Sequence, residues 1–184
     1  RLHPELGARG LTDNLLGIAI AFADILTTVS PRYAIESQYP HAGYGLDGLL
    51  RTRIPDLYGV LNGLDLELWN PETDSHLASN YNAANFSQNR GLNKSALQRE
   101  AGLEVREDVP LIGMVTRLVW QKGLDLAMPA LRHLLAGYDV QFIGLGSGEP
   151  IYNEQLRQLA ADFGWKARAY VGFDAAVAQR IYAG

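Results

Sequence analysis

Cysteine is absent from the chain. That excludes disulfides and thiolate metal sites, and it suits a reducing compartment. The four histidines, His3, His41, His76 and His133, are scattered with no pair at ligand spacing, so no metal site is expected. No basic run exists, and no aromatic residues interleave with Lys and Arg. With 16 basic against 20 acidic residues and a net charge of −4, nothing suggests a nucleic-acid groove. The longest apolar stretch, LLGIAIAFADIL, is broken by Asp24 and is too short to span a bilayer. There is no Gly-x-Ser-x-Gly elbow, no Walker loop and no internal repeat. The sequons at Asn85 and Asn93 read as chance occurrences in an Asn-rich stretch. Asp24, Asp47 and Asp65 are single carboxylates without an evident partner and read as structural.

What is present is a 184-residue chain, 47% hydrophobic, enough for one ordinary domain but short of two complete ones. It opens on Arg1, and its final RIYAG runs out of a helical pattern with no stop signal. The expectation is an internal segment of a longer protein. From Arg1 to about Val60, Thr12 or Asp13 is placed to cap a helix through LLGIAIAFA. A short β-branched strand, ILTTVS, follows, and Pro31 opens a second helix, PRYAIESQ. HAGYGLDGLL reads as a tight glycine-rich loop. From about Leu61 to Val109, Asn, Pro and Ser point to a connector, then to a helix KSALQREAGL closed by Gly102. From Pro110 the pattern is strand (LIGMVTRL), helix (LDLAMPALRHLLA), strand (VQFIGLGSG), helix (IYNEQLRQLAADF), strand (ARAYVGF), helix (DAAVAQRIYAG). The fold class is α/β, a parallel sheet with helices packed on it.

Sites in such sheets lie at the carboxyl ends of the strands. After the first strand come Arg117 and Lys122, two cations suited to a diphosphate, or simply two surface charges. After the second come Gly144, Gly146 and Gly148, which let backbone approach a ligand, or form an ordinary turn. Glu149 stands where a dinucleotide fingerprint needs its third glycine, so a nicotinamide enzyme is rejected. After the third comes Phe173, placed to stack on a nucleobase or to fill core, and Asp174, a helix cap.

Together these strings resemble the glycogen/starch synthase family, whose fold is the two-lobed GT-B glycosyltransferase. FADILTTVSPRYA is similar to the last helix and strand of the N-terminal Rossmann-like lobe. GYGLDGLLR, GVLNGLDLELWNPETD and NKSALQREAGL resemble the loop before the linker, the linker and the entry to the C-terminal lobe. VTRLVWQKGLDL, IGLGSGEP and VGFDAAVAQRIYAG resemble the opening of the nucleotide-sugar lobe. The resemblance implies three parts: 1–60 from the acceptor-side lobe, 61–109 linker and entry helix, and 110–184 the first β/α units of the donor lobe.

It further implies a hexosyltransferase that moves glucose, with retention, from ADP-glucose to the non-reducing 4-hydroxyl of an α-1,4-glucan. Arg117 and Lys122 would bind the diphosphate and assist its departure. Asn62 would face the interlobe cleft, and Gly146 and Gly148 would line the donor pocket. Phe173 would replace the family's usual tyrosine, keeping the ring and losing a hydroxyl. No cofactor is implied, and no membrane or nucleic-acid partner. The setting would be bacterial cytoplasm, or a plastid. Gly17 stands where a lysine is usual and weakens its helix. Pro129 interrupts a helix that usually has none, starting it late or kinking it. The family's N-terminal lysine-glycine loop and C-terminal glutamates are not in this chain, so the segment alone is expected to be inactive. A related transferase using a UDP- or GDP-sugar, and a non-catalytic nucleotide- or glucan-binding module, are the alternatives.

Overall fold

The computed structural model of the chain describes residues 3–184. They form two compact units, one ending at Leu64 and the other Asp65–Gly184.

The first unit runs α1 (Pro4–Ala8), α2 (Leu15–Phe22), β1 (Leu26–Thr28), α3 (Pro31–Glu36), α4 (Pro40–Gly43), α5 (Asp47–Thr52), a 3-10 turn (Ile54–Asp56) and β2 (Leu57–Gly59). β1 and β2 pair in parallel, Leu26 opposite Leu57. Leu6, Ile20, Ala21, Leu46 and Leu49 make the core. The cap of α2 is Asn14, not Thr12 or Asp13: its side chain accepts the Gly17 N–H at 2.8 Å. Gly17 is buried and the helix forms despite it. Pro31 does open α3, with the Ser30 hydroxyl accepting the Tyr33 N–H. The expected loop HAGYGLDGLL is mostly helix. Only the residues between α4 and α5 turn, where Tyr44 (φ 49°) and Gly45 (φ 80°) take left-handed backbone. The Arg53 guanidinium donates to the carbonyls of Ile20 and Ala23, satisfying acceptors that the end of α2 leaves open.

The second unit runs α6 (Phe86–Glu100), β3 (Leu111–Val115), a 3-10 turn (Trp120–Lys122), α7 (Leu124–Gly137), β4 (Gln141–Gly146), α8 (Pro150–Asp162), β5 (Ala167–Val171) and α9 (Ala175–Ala183). The strands lie parallel in the order β3-β4-β5. Every residue of β4 is buried, as a central strand covered on both faces requires. One face packs Leu124, Leu131 and Leu135 of α7 and Leu156 and Leu159 of α8 against Phe142. The other packs Leu97 of α6 and Val177 and Ile181 of α9 against Ile143 and Leu145. α7 begins at Leu124 and continues through Pro129. The proline withholds one N–H from the first-turn carbonyl of Asp125, and the helix does not start late.

α6 starts at Phe86, eight residues before the run that looks helical in the sequence. The extra turns are poor in helix formers. They hold because Asn93 is 4% exposed and fully used. It accepts the Ser79 N–H and donates to the Ser79 and Asn89 carbonyls. The other end of α6 is as the sequence indicates. Gly102 takes φ +67°, its N–H donates to the Arg99 carbonyl, and the Leu103 N–H donates to that of Gln98. These two bonds make a Schellman ending. The Gln98 side chain then donates to that of Gln141 at 2.7 Å, so a buried amide pair joins α6 to β4.

Candidate functional site

The carboxyl ends of β3, β4 and β5 open on one cleft of about 190 Å³, whose walls include Thr116, Arg117, Gly146, Ser147, Phe173 and Asp174. Three residues singled out in the sequence, Arg117, Gly146 and Phe173, therefore meet in it. Each follows or ends a different strand, so the parallel sheet brings them together. Phe173 is 93% exposed and is not core. Its ring stands free at the start of α9, where Asp174 caps the helix by accepting the Val177 N–H at 3.0 Å.

Lys122 is on the same loop as Arg117 but outside the cleft lining. It ends the 3-10 turn, exposed, and Gly123 after it takes φ +67° to start α7. Neither cation forms an ion pair with any described residue. Asn62 belongs to the first unit, exposed in the coil after β2.

Gly146 and Gly148 have a use that the sequence did not disclose. A Cβ on Gly146 would strike the Thr116 carbonyl, and one on Gly148 the Leu118 carbonyl. Their missing side chains make room for the neighbouring loop. Backbone bonds follow from that approach: Leu118 N–H donates to Ser147 at 2.9 Å and Glu149 N–H donates to Leu118 at 2.8 Å. Gly148 stands beside the cleft and pairs with Leu118, while Gly146 lines it.

Further supports escaped the sequence reading. Asn153 of α8 grips Gly148 twice, accepting its N–H and donating to its carbonyl. The Glu149 carboxylate accepts the Trp120 N–H at 3.2 Å and so anchors the turn that carries Lys122. Thr116 and Ser147 add hydroxyls to the cleft. The rule that sites lie at strand ends would have found both hydroxyls; the two anchors carry no sequence signal. The cleft thus offers one cation, hydroxyls and a free aromatic face. A wider groove of about 380 Å³ between α7 and α8, lined by Asp125, Pro129, Arg132 and Gln158, shares no residue with it.

The starch synthase catalytic domain family matches residues 8–52. A glycogen synthase of Anaeromyxobacter sp. is 50% identical over 171 residues, 93% of this chain and 36% of that protein. A glycogen synthase of Cellvibrio japonicus is 48% identical over 182 residues, 99% of this chain and 37% of that protein. Over nearly all of its length this chain is similar to the glycogen synthases. Among solved structures, the catalytic domain of Starch Synthase IV from Arabidopsis thaliana, bound to ADP and acarbose, superposes with a TM-score of 0.85 at 36% identity. That match covers 92% of this chain and 35% of the Arabidopsis one. The fold is therefore that of the GT-B starch synthase catalytic domain, and the chain spans a little over a third of the length of the curated relatives it matches. Among the described residues, no helix is long and apolar enough to cross a membrane.

Proposed function

We propose that the protein to which this chain belongs is a glycogen synthase. It would transfer glucose from ADP-glucose, with retention, to the non-reducing 4-hydroxyl of an α-1,4-glucan in the cytoplasm. The observation that carries the reading is near-half identity to glycogen synthases along almost the whole chain. The gathering of a cation, small residues and a bare ring at the ends of three parallel strands supports it. Residues 1–60 belong to the acceptor-side lobe, 61–109 to the linker and entry helix, and 110–184 to the donor lobe.

In this mechanism the ADP group enters at the strand ends and its base stacks on Phe173. A cleft of about 190 Å³ is below the roughly 300–1,000 Å³ typical of small-ligand pockets, so it takes only part of a nucleotide sugar. Arg117 holds the diphosphate from the cleft wall. Lys122, on the anchored turn beyond, meets the charge that grows on the leaving phosphate as the glucosyl bond breaks. Gly146 and Gly148 shape the cleft by holding the two loops together. Asn62 steadies donor or acceptor from the linker. The ADP and acarbose in the Arabidopsis enzyme carry over to this reading as the donor's nucleotide and a glucan-like occupant.

The test is transfer by the complete protein to glycogen from ADP-, UDP- and GDP-glucose in parallel. We expect ADP-glucose to be preferred at least tenfold in kcat/KM. Preference for UDP- or GDP-glucose would replace the donor, and absence of transfer from all three would end the synthase reading.

A further inference from the structure

Glu149 is the N-cap residue of α8, yet its side chain makes no bond to its own helix. The next residue is Pro150, which has no N–H to offer. The carboxylate turns instead to the loop after β3, 29 residues back in the chain, where Oε1 accepts the Trp120 N–H at 3.2 Å. Trp120 is the first residue of the 3-10 turn, and such an N–H has no acceptor inside its own turn. Val119 precedes the turn, and its apolar side chain cannot cap it. Glu149 therefore caps, from outside, a turn that lacks a cap of its own. The carboxylate makes no ion pair with Lys122 or with any other cation among the described residues.

Further bonds stiffen the link. The Glu149 N–H donates to the Leu118 carbonyl at 2.8 Å, so one residue holds the loop on both sides of Val119. Asn153 accepts the Gly148 N–H and donates to the Gly148 carbonyl, which fixes the backbone from which Glu149 reaches. Within the turn, the Lys122 N–H donates to the Val119 carbonyl and the Gly123 N–H to that of Trp120, both at 3.0 Å. The line of bonds from Glu149 thus ends at the residue that carries the ammonium. We infer that Glu149 is a positioning residue for transfer: by capping the turn Trp120–Lys122 it holds the Lys122 ammonium where the leaving phosphate gains charge. The catalytic part of this rests on the reading of Lys122 above. A negative charge does not favour an anionic donor. What Glu149 supplies is an acceptor of the right reach.

Glu149→Ala and Glu149→Gln in the complete protein separate reach from charge. A lost cap and a loosened cation are expected to lower kcat roughly tenfold in the alanine variant, with the KM for ADP-glucose unchanged. Glutamine keeps an oxygen at the same reach and should bring kcat back to within about twofold of wild type. Hydrogen exchange at the Trp120 amide should quicken in the alanine variant and not in the glutamine one. On a Lys122→Ala background, Glu149→Ala should lower kcat no further. Wild-type turnover in Glu149→Ala while Lys122→Ala is impaired would overturn the inference. So would equal losses in the alanine and glutamine variants, which would trace the effect to charge. A full loss added on top of Lys122→Ala would overturn it too, since the damage would then be general. Wild-type turnover in Lys122→Ala would instead end the reading of Lys122, and the catalytic part with it. Exchange at Trp120 needs no donor sugar, and unchanged exchange in Glu149→Ala overturns the cap by itself.

Discussion

At the scale of single residues, the two side chains proposed to act on the donor make opposite demands. Phe173 is 93% exposed, so its removal costs no packing. In the complete protein, Phe173→Ala should weaken ADP binding by about 1–3 kcal/mol, as expected for a lost ring-to-base stack. The melting temperature should not change, and Phe173→Tyr should bind as wild type. Calorimetry beside a thermal melt checks both, and unchanged ADP affinity would leave the ring without a ligand. Lys122→Ala should lower kcat by roughly a hundred- to a thousand-fold with the fold intact, because the charge acts on the transition state more than on bound donor. Lys122→Arg should not restore it, since a planar fork does not place charge where a compact ammonium did. Wild-type turnover in the alanine variant would return Lys122 to the solvated surface. The positions of Arg117 and Phe173 were legible, because strand ends are read directly from apolar runs. The purpose of Gly146 was not. A missing side chain looks the same in a sequence whether it admits a ligand or, as here, the Thr116 carbonyl.

At the scale of elements, α7 and α8 are joined across their outer face by charge. Arg132 Nη1 donates to Asp162 at 2.6 Å, and Gln158 donates to its other oxygen at 2.7 Å. The Arg132 bond, and then that of Gln158, hold the Asp162 carboxyl below its usual pKa. A lowered folded-state value means that the stabilisation is present above the ordinary carboxylate range and is lost as pH falls through the folded value. Asp162→Asn should therefore melt lower than wild type at neutral pH, and the gap should close on acidification. Parallel melts across the acid range check this, and a gap that does not vary with pH would assign the loss to packing.

The elements from Pro110 onward were legible because apolar periodicity switches cleanly between strand and helix. The start of α6 was not, since Asn93 meets Ser79 fourteen residues away and no local pattern records it. The cap of α2 was misplaced by one or two residues because Thr12, Asp13 and Asn14 are all good caps. Only the backbone path decides which side chain reaches the Gly17 N–H.

At the scale of the whole chain, the two units are unequally closed. The first pairs two three-residue strands and leaves Leu15, Leu16, Phe22, Ile25 and Val29 exposed. The second clothes a three-strand sheet on both faces. Short parallel pairs have little stability of their own. In hydrogen exchange on this chain, amides of Leu26–Thr28 and Leu57–Gly59 should exchange well before those of Gln141–Gly146. Equal protection of both sheets would mean that the units open together.

The backbone bonds between Leu118, Ser147 and Glu149 bear on how such a protein is free to change. Two loops joined carbonyl to amide have a common length. A residue inserted between Thr116 and Arg117 would shift the register of the Leu118–Gly148 bridge and carry Arg117 off the cleft wall, unless the loop after β4 grew to match. A single insertion there is expected to abolish turnover in the complete protein. Descendants of this sequence would then explore new donors by exchanging side chains such as Phe173 on a frame of constant length.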